Sequence, residues 1–438
     1  MFCRAWARPV ASAVDRLAIA IATMPWAASA QAAEGVPRPA GVPVEFALLA
    51  LTLLSIAFFH RRALHIALLG AAVVVTYRWL SGGFPGGPGL PGLLHHLHAH
   101  WVTLANLLLL ITGFALVAEH FHQSRIPRHL PRLLPDDWKG GFVLLCLIFV
   151  LSAFLDNIAA ALIGGTVAAD VFRRRLHVGY LAAIVAASNA GGAGSVVGDT
   201  TTTMMWIQGA NPADVLRAYA GAATALLVFG VPASIRQQRH SPIRKDPPDG
   251  AHLDWPRVFI VLKVLTVAIV ANVAVNVLYP EAAETLPWIG LAVWGALLLA
   301  SPLRGPSFAE LPSSLRSSAF LLALVLTASL MPVSELPAPS WMTTLALGAI
   351  SAVFDNIPLT ALALEQGGYD WGMLAYAVGF GGSMLWFGSS AGVALCGLFP
   401  EGRSALHWIR DGWPVTLAYL AGFAVLLLTL GWQPQPLR

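Results

Sequence analysis

Charge is scarce in this sequence. Asp, Glu, Lys and Arg make up 11% of its 438 residues and hydrophobic residues 57%, where soluble domains carry about 25% charged residues. An ordinary water-soluble domain is thereby excluded, and a bilayer is the expected solvent. Cysteine is scarce too: the 3 present, Cys3, Cys146 and Cys396, lie far apart with no CxxC pair, which excludes a disulfide framework and a cysteine metal site. The basic excess is small, 26 Lys and Arg against 22 Asp and Glu. Those basic residues fall in loops between apolar runs rather than in one stripe, so nucleic acid is not an expected partner. No grouping of nucleophile, base and oxyanion donors points to an enzyme, and no cofactor is implied.

What is abundant is apolar sequence of membrane-spanning length. At about 20 residues per spanning helix, the chain has room for roughly ten spans, and the expected fold is an all-α polytopic membrane protein. Residues 1–35 read as a targeting segment, with Arg4, Arg8 and Arg16 before a modest apolar run that ends in small residues; an uncleaved extra helix is the alternative. Apolar segments follow at about 43–60, 62–80 and 100–118, then an interrupted region at 141–208 and a span at 213–234. After a polar linker at 235–256 the order repeats: 257–279, 286–303, 315–333, an interrupted region at 340–396, and 413–432.

Lys and Arg collect on the cytoplasmic side of short loops. Arg62, Arg125, Arg128, Arg132, Lys139, Arg173 to Arg175, Arg236 to Lys245, Arg304 and Arg403 fit one side, whereas the loops holding Glu281, Glu335, Glu365 and Asp370 contain neither. Lys139 and the Arg173 run flank 141–175 on both sides, so that stretch is expected to enter and return as a re-entrant hairpin. By the same logic 340–370 is a hairpin from the opposite side. Two inverted repeats, 43–234 and 257–432, are therefore expected, with two hairpins and two broken helices, an architecture used by transporters.

Sequence echoes mark the repeat. SAFLDNIAAA (Ser152 to Ala161) matches SAVFDNIPLT (Ser351 to Thr360), each centred on its hairpin. Asp and Asn suit a turn because their side chains satisfy freed backbone groups, which makes helix capping the plain reading. A carboxylate deep in a bilayer costs about 2.5–3.5 kcal/mol on insertion scales, and this favours a functional reading of Asp156 and Asp355. SNAGGAGSVVGDTTTT (Ser188 to Thr203) aligns with VGFGGSMLWFGSSAGV (Val378 to Val393). Glycine-rich breaks serve close packing, but Asn189, Asp199 and the Thr200 to Thr203 run also offer the oxygen ligands that small cations prefer.

On these motifs the chain resembles the ion transporter superfamily, and LDN followed by SNAGGAxxxxGDTTTTMMW looks most like NhaD-type sodium/proton antiporters. The GDTTTTM stretch is the specific part. The resemblance implies one half-site from Asp156, Asn157, Asn189, Gly191, Gly192, Asp199 and Thr200, and another from Asp355, Asn356, Gly382, Ser383, Ser389 and Ser390. Asp156, Asp199 and Asp355 would hold the transported Na⁺. Met384-Leu385-Trp386-Phe387 departs from the small residues expected at the second break, which suggests an occluded or differently selective half-site.

A carboxylate shared between H⁺ and Na⁺ or Li⁺ turns competition into exchange, because either ligand neutralises the buried charge. A carboxylate symporter or an arsenite exchanger of the same superfamily is a rival reading, and a sensor with a degenerate transport fold is another. Membrane lipid, small cations and a homodimer are the partners the resemblance implies, in a bacterial inner membrane. His95, His96, His98 and His100 cluster outside the third span, where a solvated loop is expected over zinc binding or pH sensing.

Overall fold

A computed structural model describes residues 42–59, 62–81, 83–195, 198–245, 252–282 and 285–436. The expected targeting segment at 1–35 lies outside the described residues. Among these, regular structure is helical apart from one isolated bridge between Phe84 and Gly87. The first half comprises α1 (Val44–Phe58), α2 (Ala63–Ser81), α3 (Gly89–Gln123), α4 (Trp138–Ser152), α5 (Asn157–Val171), α6 (Val178–Gly192), α7 (Thr200–Ile207) and α8 (Ala218–His240). The second comprises α9 (Trp255–Val273), α10 (Trp288–Ala300), α11 (Leu311–Ser329), α12 (Trp341–Ser351), α13 (Asn356–Gln366), α14 (Trp371–Gly381), α15 (Ser390–Leu398) and α16 (Ala405–Thr429). The first half also holds the short helices Ile126–His129 and Pro212–Leu216; apart from these, the helices of the second set follow the same order as those of the first.

Six helices among the described residues are long and apolar enough to cross a membrane: α2, α3, α8 with its leading turn, α9, α11 and α16. Two expected spans fall short. Helix α1 has 15 residues and α10 has 13, so at about 1.5 Å per residue they reach roughly 22 and 20 Å, against about 30 Å of hydrocarbon. Pro287 and Pro302 bracket α10, and a proline can neither donate to nor continue a helix. In contrast, α8 continues to His240, into the stretch expected as linker.

The histidine cluster corrects the loop reading. Nothing after Gly92 breaks the helix, so α3 runs for 35 residues and includes all four histidines. His96 is buried, with Nε2 2.9 Å from Ser329 Oγ at the end of α11. The His96 and His100 rings lie 4.4 Å apart, and His100 Nδ1 is 3.9 Å from Glu365 on α13. Among the described residues no three His, Cys, Asp or Glu side chains come close enough to hold a metal.

The centre of the molecule is made by α6 and α14. Every residue of α6 from Gly179 to Gly192 is buried, and so is all of α14. Such helices have no polar face, and their Ala and Gly content lets neighbours approach closely without a hydrophobic driving force from water. Helices α8 and α16 pack on each other and against both, while α3 and α11 pack together with α2, α9 and α10 around them. The hairpin arms cross between halves: α5 rests on α15, and α13 rests on α7.

Candidate ion site

Both Asp-Asn pairs sit where a helix breaks and restarts. Residues Ala153–Asp156 separate α4 from α5, and Ala352–Asp355 separate α12 from α13. Asp156 accepts from the Ile158 amide at 3.1 Å and Asp355 from the Ile357 amide at 3.1 Å. Their backbones coincide, at φ −53, ψ 142 and φ −53, ψ 140. Each aspartate thus caps a helix N-terminus, satisfying an amide with no partner inside the helix. The capping reading holds for one oxygen of each carboxylate. Asp355 uses the other to accept from Ser390 Oγ at 3.1 Å.

The second echo has the same fidelity. Helix α6 stops at Gly192 and α7 restarts behind Asp199; α14 stops at Gly381 and α15 restarts behind Ser389. Asp199 and Ser389 are both extended N-caps, at φ −141, ψ 143 and φ −142, ψ 152. Glycine is needed for close approach: a Cβ on Gly191 would sit 2.0 Å from the Phe149 carbonyl oxygen, and one on Gly381 2.1 Å from that of Gly348. Ser152 Oγ donates to the Ser188 carbonyl at 2.6 Å, and Ser351 Oγ to that of Val378 at 2.8 Å. Each broken helix is therefore bound backbone-close to its own hairpin's first arm.

Between the breaks lies one network that joins the halves. Asn157 Nδ2 donates to Asn189 Oδ1 at 3.1 Å and lies 3.4 Å from Asp199 Oδ1. Asn189 Nδ2 donates in turn to Ser383 Oγ at 2.9 Å and Ser389 Oγ at 3.1 Å. Thr201 Oγ donates to Asp199 Oδ2 at 2.8 Å. All of these side chains are buried. Carboxylate, amide and hydroxyl oxygens converge here, the donor set suited to a hard cation.

Not every expected residue joins that network. Asp156 is half-buried at the first tip, and Asp355 pairs with Ser390 at the second. Thr200 opens α7, half-buried, and Asn356 is buried at the second tip, where its carbonyl accepts from Thr360. Gly192 and Gly382 lie against the loop carbonyls of Gly198 and Gly388, leaving room for no side chain. The Gly191 carbonyl, freed by the break, accepts from Tyr219 O–H at 3.0 Å. Trp408, buried on α16, donates to the Ser383 carbonyl at 3.2 Å. Neither aromatic was expected, since nothing in the pattern around them marks a contact so distant in sequence. Trp386 and Phe387 stand half-exposed at the second break, ring to ring at 5.4 Å.

The acidic residues divide by their partners. Glu45 is buried 3.6 Å from Arg78, which also donates to the Leu330 carbonyl at 3.0 Å. Asp370, expected in a solvated loop, is buried; it caps α14, accepts from the Gln433 amide at 3.0 Å and lies 3.5 Å from Arg217. Among the described residues no Lys or Arg forms such a pair with Asp156, Asp199 or Asp355.

No family model matches the chain. Sodium/proton antiporter 1 of Arabidopsis thaliana is 29% identical over 68% of this chain, and the match spans 55% of that longer protein. Sodium/proton antiporter 2 of the same plant is 26% identical over 67% of this chain and 74% of its own length. The Na⁺/H⁺ antiporter NhaD of Alkalimonas amylolytica is 27% identical over 66% of this chain and 68% of its own. This chain is similar to sodium/proton antiporters, an NhaD among them. The NhaD-type resemblance carried by the GDTTTTM stretch is thus borne out, and these antiporter relatives accord with a multi-pass membrane protein built from apolar helices.

Proposed function

We propose that this chain is a secondary active antiporter that exchanges Na⁺ or Li⁺ for H⁺. The observation that carries the reading is the buried network of Asn157, Asn189, Asp199, Ser383 and Ser389, where the first hairpin tip and both helix breaks converge. An isolated carboxylate in a low-dielectric interior is costly as an anion. Glu45 and Asp370 meet that cost with arginines, whereas Asp156, Asp199 and Asp355 have none among the described residues, and a mobile cation or a proton is the counter-charge available to them. Either ligand neutralises the site; the empty site, charged, resists crossing between faces. Competition at Asp199 and Asp156 then becomes exchange, with Asp355 and Ser390 as the pseudo-symmetric partner.

The recurrence of helix order, caps and glycine contacts supports two repeats, 43–234 and 257–432. The Lys and Arg distribution supports their inversion, with α4–α5 and α12–α13 as re-entrant hairpins from opposite faces. Alternating access would come from movement of hairpins and broken helices against α2, α3, α9, α10 and α11. The surroundings of the two hairpins differ, and this favours an opening toward the arginine-rich face. Ile158, Leu162, Thr166 and Asp170 form an i, i+4 stripe on α5 that is half-buried or exposed, whereas Ile357 and Ala361 at matching positions of α13 are buried. A bacterial inner membrane, a homodimer, lipid as solvent and no nucleic-acid partner complete the proposal.

The test is proton movement in everted membrane vesicles on addition of Na⁺, Li⁺ or K⁺, with Asp199→Asn beside the parent. Cation-triggered collapse of the pH gradient, lost in the variant, is the expected result. No response to any cation sinks antiport, and an unchanged variant sinks the assignment of Asp199.

A further inference from the structure

On the arginine-rich face, away from the carboxylates, the ends of α3, α9 and α10 enclose a cleft of about 440 Å³. Its walls carry Arg125 just past α3, His252, Asp254 and Arg257 at the start of α9, and Arg304 past α10. Among the described residues, three guanidinium groups and one carboxylate line it. Asp254 is shared, 3.0 Å from Arg304 Nε and 3.6 Å from Arg257 Nε. Desolvation works to raise its pKa, but the Arg304 hydrogen bond and the two arginine charges outweigh it and hold the group below the usual carboxylate range. It therefore stays ionised and cancels one positive charge of the three.

The other contacts leave the excess in place. Arg257 Nη1 lies 2.9 Å from Nδ1 of the buried His120. A guanidinium only donates, so His120 accepts through Nδ1 and is neutral. Arg125 is exposed, with φ 66 in the left-handed region that favours glycine, and among the described residues its guanidinium bonds to no protein group. Beside the cleft, Trp255, Phe259 and Leu262 run along one face of α9, exposed by 56%, 63% and 55%. Their i, i+4, i+7 spacing makes an apolar track leading from the cleft along the helix.

We propose that this cleft holds the phosphate of an anionic phospholipid, whose acyl chains lie along the Trp255–Phe259–Leu262 face of α9. Arginine forks match phosphate oxygens bidentately, and basic pockets between membrane helices take phosphate-bearing headgroups. Inorganic phosphate shares the headgroup chemistry but would leave the apolar track unused. The lipid joins α3, α9 and α10, helices that carry none of the proposed ion ligands, so the inference stands apart from the antiport reading.

The test uses the full chain in detergent, with retained lipid read by native mass spectrometry after adding phosphatidylglycerol or phosphatidylcholine. The parent is expected to retain phosphatidylglycerol preferentially. Arg125→Gln and Arg304→Gln should each lower its affinity about fivefold, the equivalent of about 1 kcal/mol per arginine at a membrane surface. Arg132→Gln, a control at an exposed arginine on the same face, should not, and millimolar inorganic phosphate should not displace the lipid. Equal retention of both lipids, or an Arg125→Gln variant that binds like the parent, overturns the proposal. Equal loss from Arg132→Gln means diffuse surface charge, and displacement by inorganic phosphate means a soluble-anion site; either overturns it as well. Arg125→Gln keeps the test valid should Arg304→Gln fold poorly, because among the described residues the Arg125 guanidinium bonds to no protein group.

Discussion

The two hairpins are near-copies in sequence and in backbone, yet they live in different surroundings. Helix α13 packs along α11, and its residues from Asn356 to Leu364 are all buried. Helix α5 has no comparable packing against α3; Thr166 and Asp170 on it are exposed, and Phe154 at its tip is 51% exposed. The same cap, the same Asp-Asn pair and the same serine anchor therefore stand in a closed setting on one side and an open one on the other. On the antiport reading proposed above, identical local chemistry with unequal packing is how one state of a transporter with two repeats would look, since exchanging their environments would exchange the open face.

The comparison is broken or sharpened most strongly at the tips. Asp156→Asn should lower Na⁺-driven proton exchange in vesicles about 100-fold, the equivalent of about 2.7 kcal/mol, because asparagine keeps the cap and removes only the charge. Asp355→Asn, with its carboxylate already engaged by Ser390, should cost about tenfold or less; equal losses would make the halves functionally equivalent. Next is access. In a cysteine-free background, a membrane-impermeant maleimide applied from the arginine-rich face should label Thr166→Cys about tenfold faster than Ala361→Cys. Equal labelling would remove the open-face reading.

A third effect should be symmetric where the first two are not. Gly191→Ala and Gly381→Ala each drive a methyl into a carbonyl oxygen, and both should destabilise the purified protein by about 1–3 kcal/mol, read as a lower melting temperature. A large difference between them would show that the repeat's two glycine contacts are not equivalent. Smallest is Glu365→Gln, which weakens a partly exposed contact with His100 at 3.9 Å. Its effect on thermal stability should stay within about 1 kcal/mol.

Much of this was legible in sequence because membrane helices are written in apolar length and interrupted by glycine, proline and small polar residues. The helix breaks at 153–156 and 352–355, and those before Asp199 and Ser389, fall where the motifs put them. The packing around them was not legible. SAFLDNIAAA and SAVFDNIPLT read alike, so nothing local says that α11 covers one copy and leaves the other open. The bonds from Asn189 to Ser383 and Ser389 span about half the chain, and no periodicity encodes a contact of that kind. His96 misled in the other direction: a run of histidines reads as solvated, but the helix carries on and packs one of them against Ser329.

Because α5 rests on α15 and α13 on α7, the halves are interlocked rather than merely adjacent. Were the chain divided between α8 and α9 and its pieces made separately, each would hold a hairpin with no broken helix from the other half beneath it, and Asn189 would lack both of its serines. Assembly would then become a bimolecular event, and completion of the Asn189 network would depend on the concentration of the pieces. Joining the halves in one polypeptide turns that encounter into a matter of folding, at an effective concentration set by the chain between them.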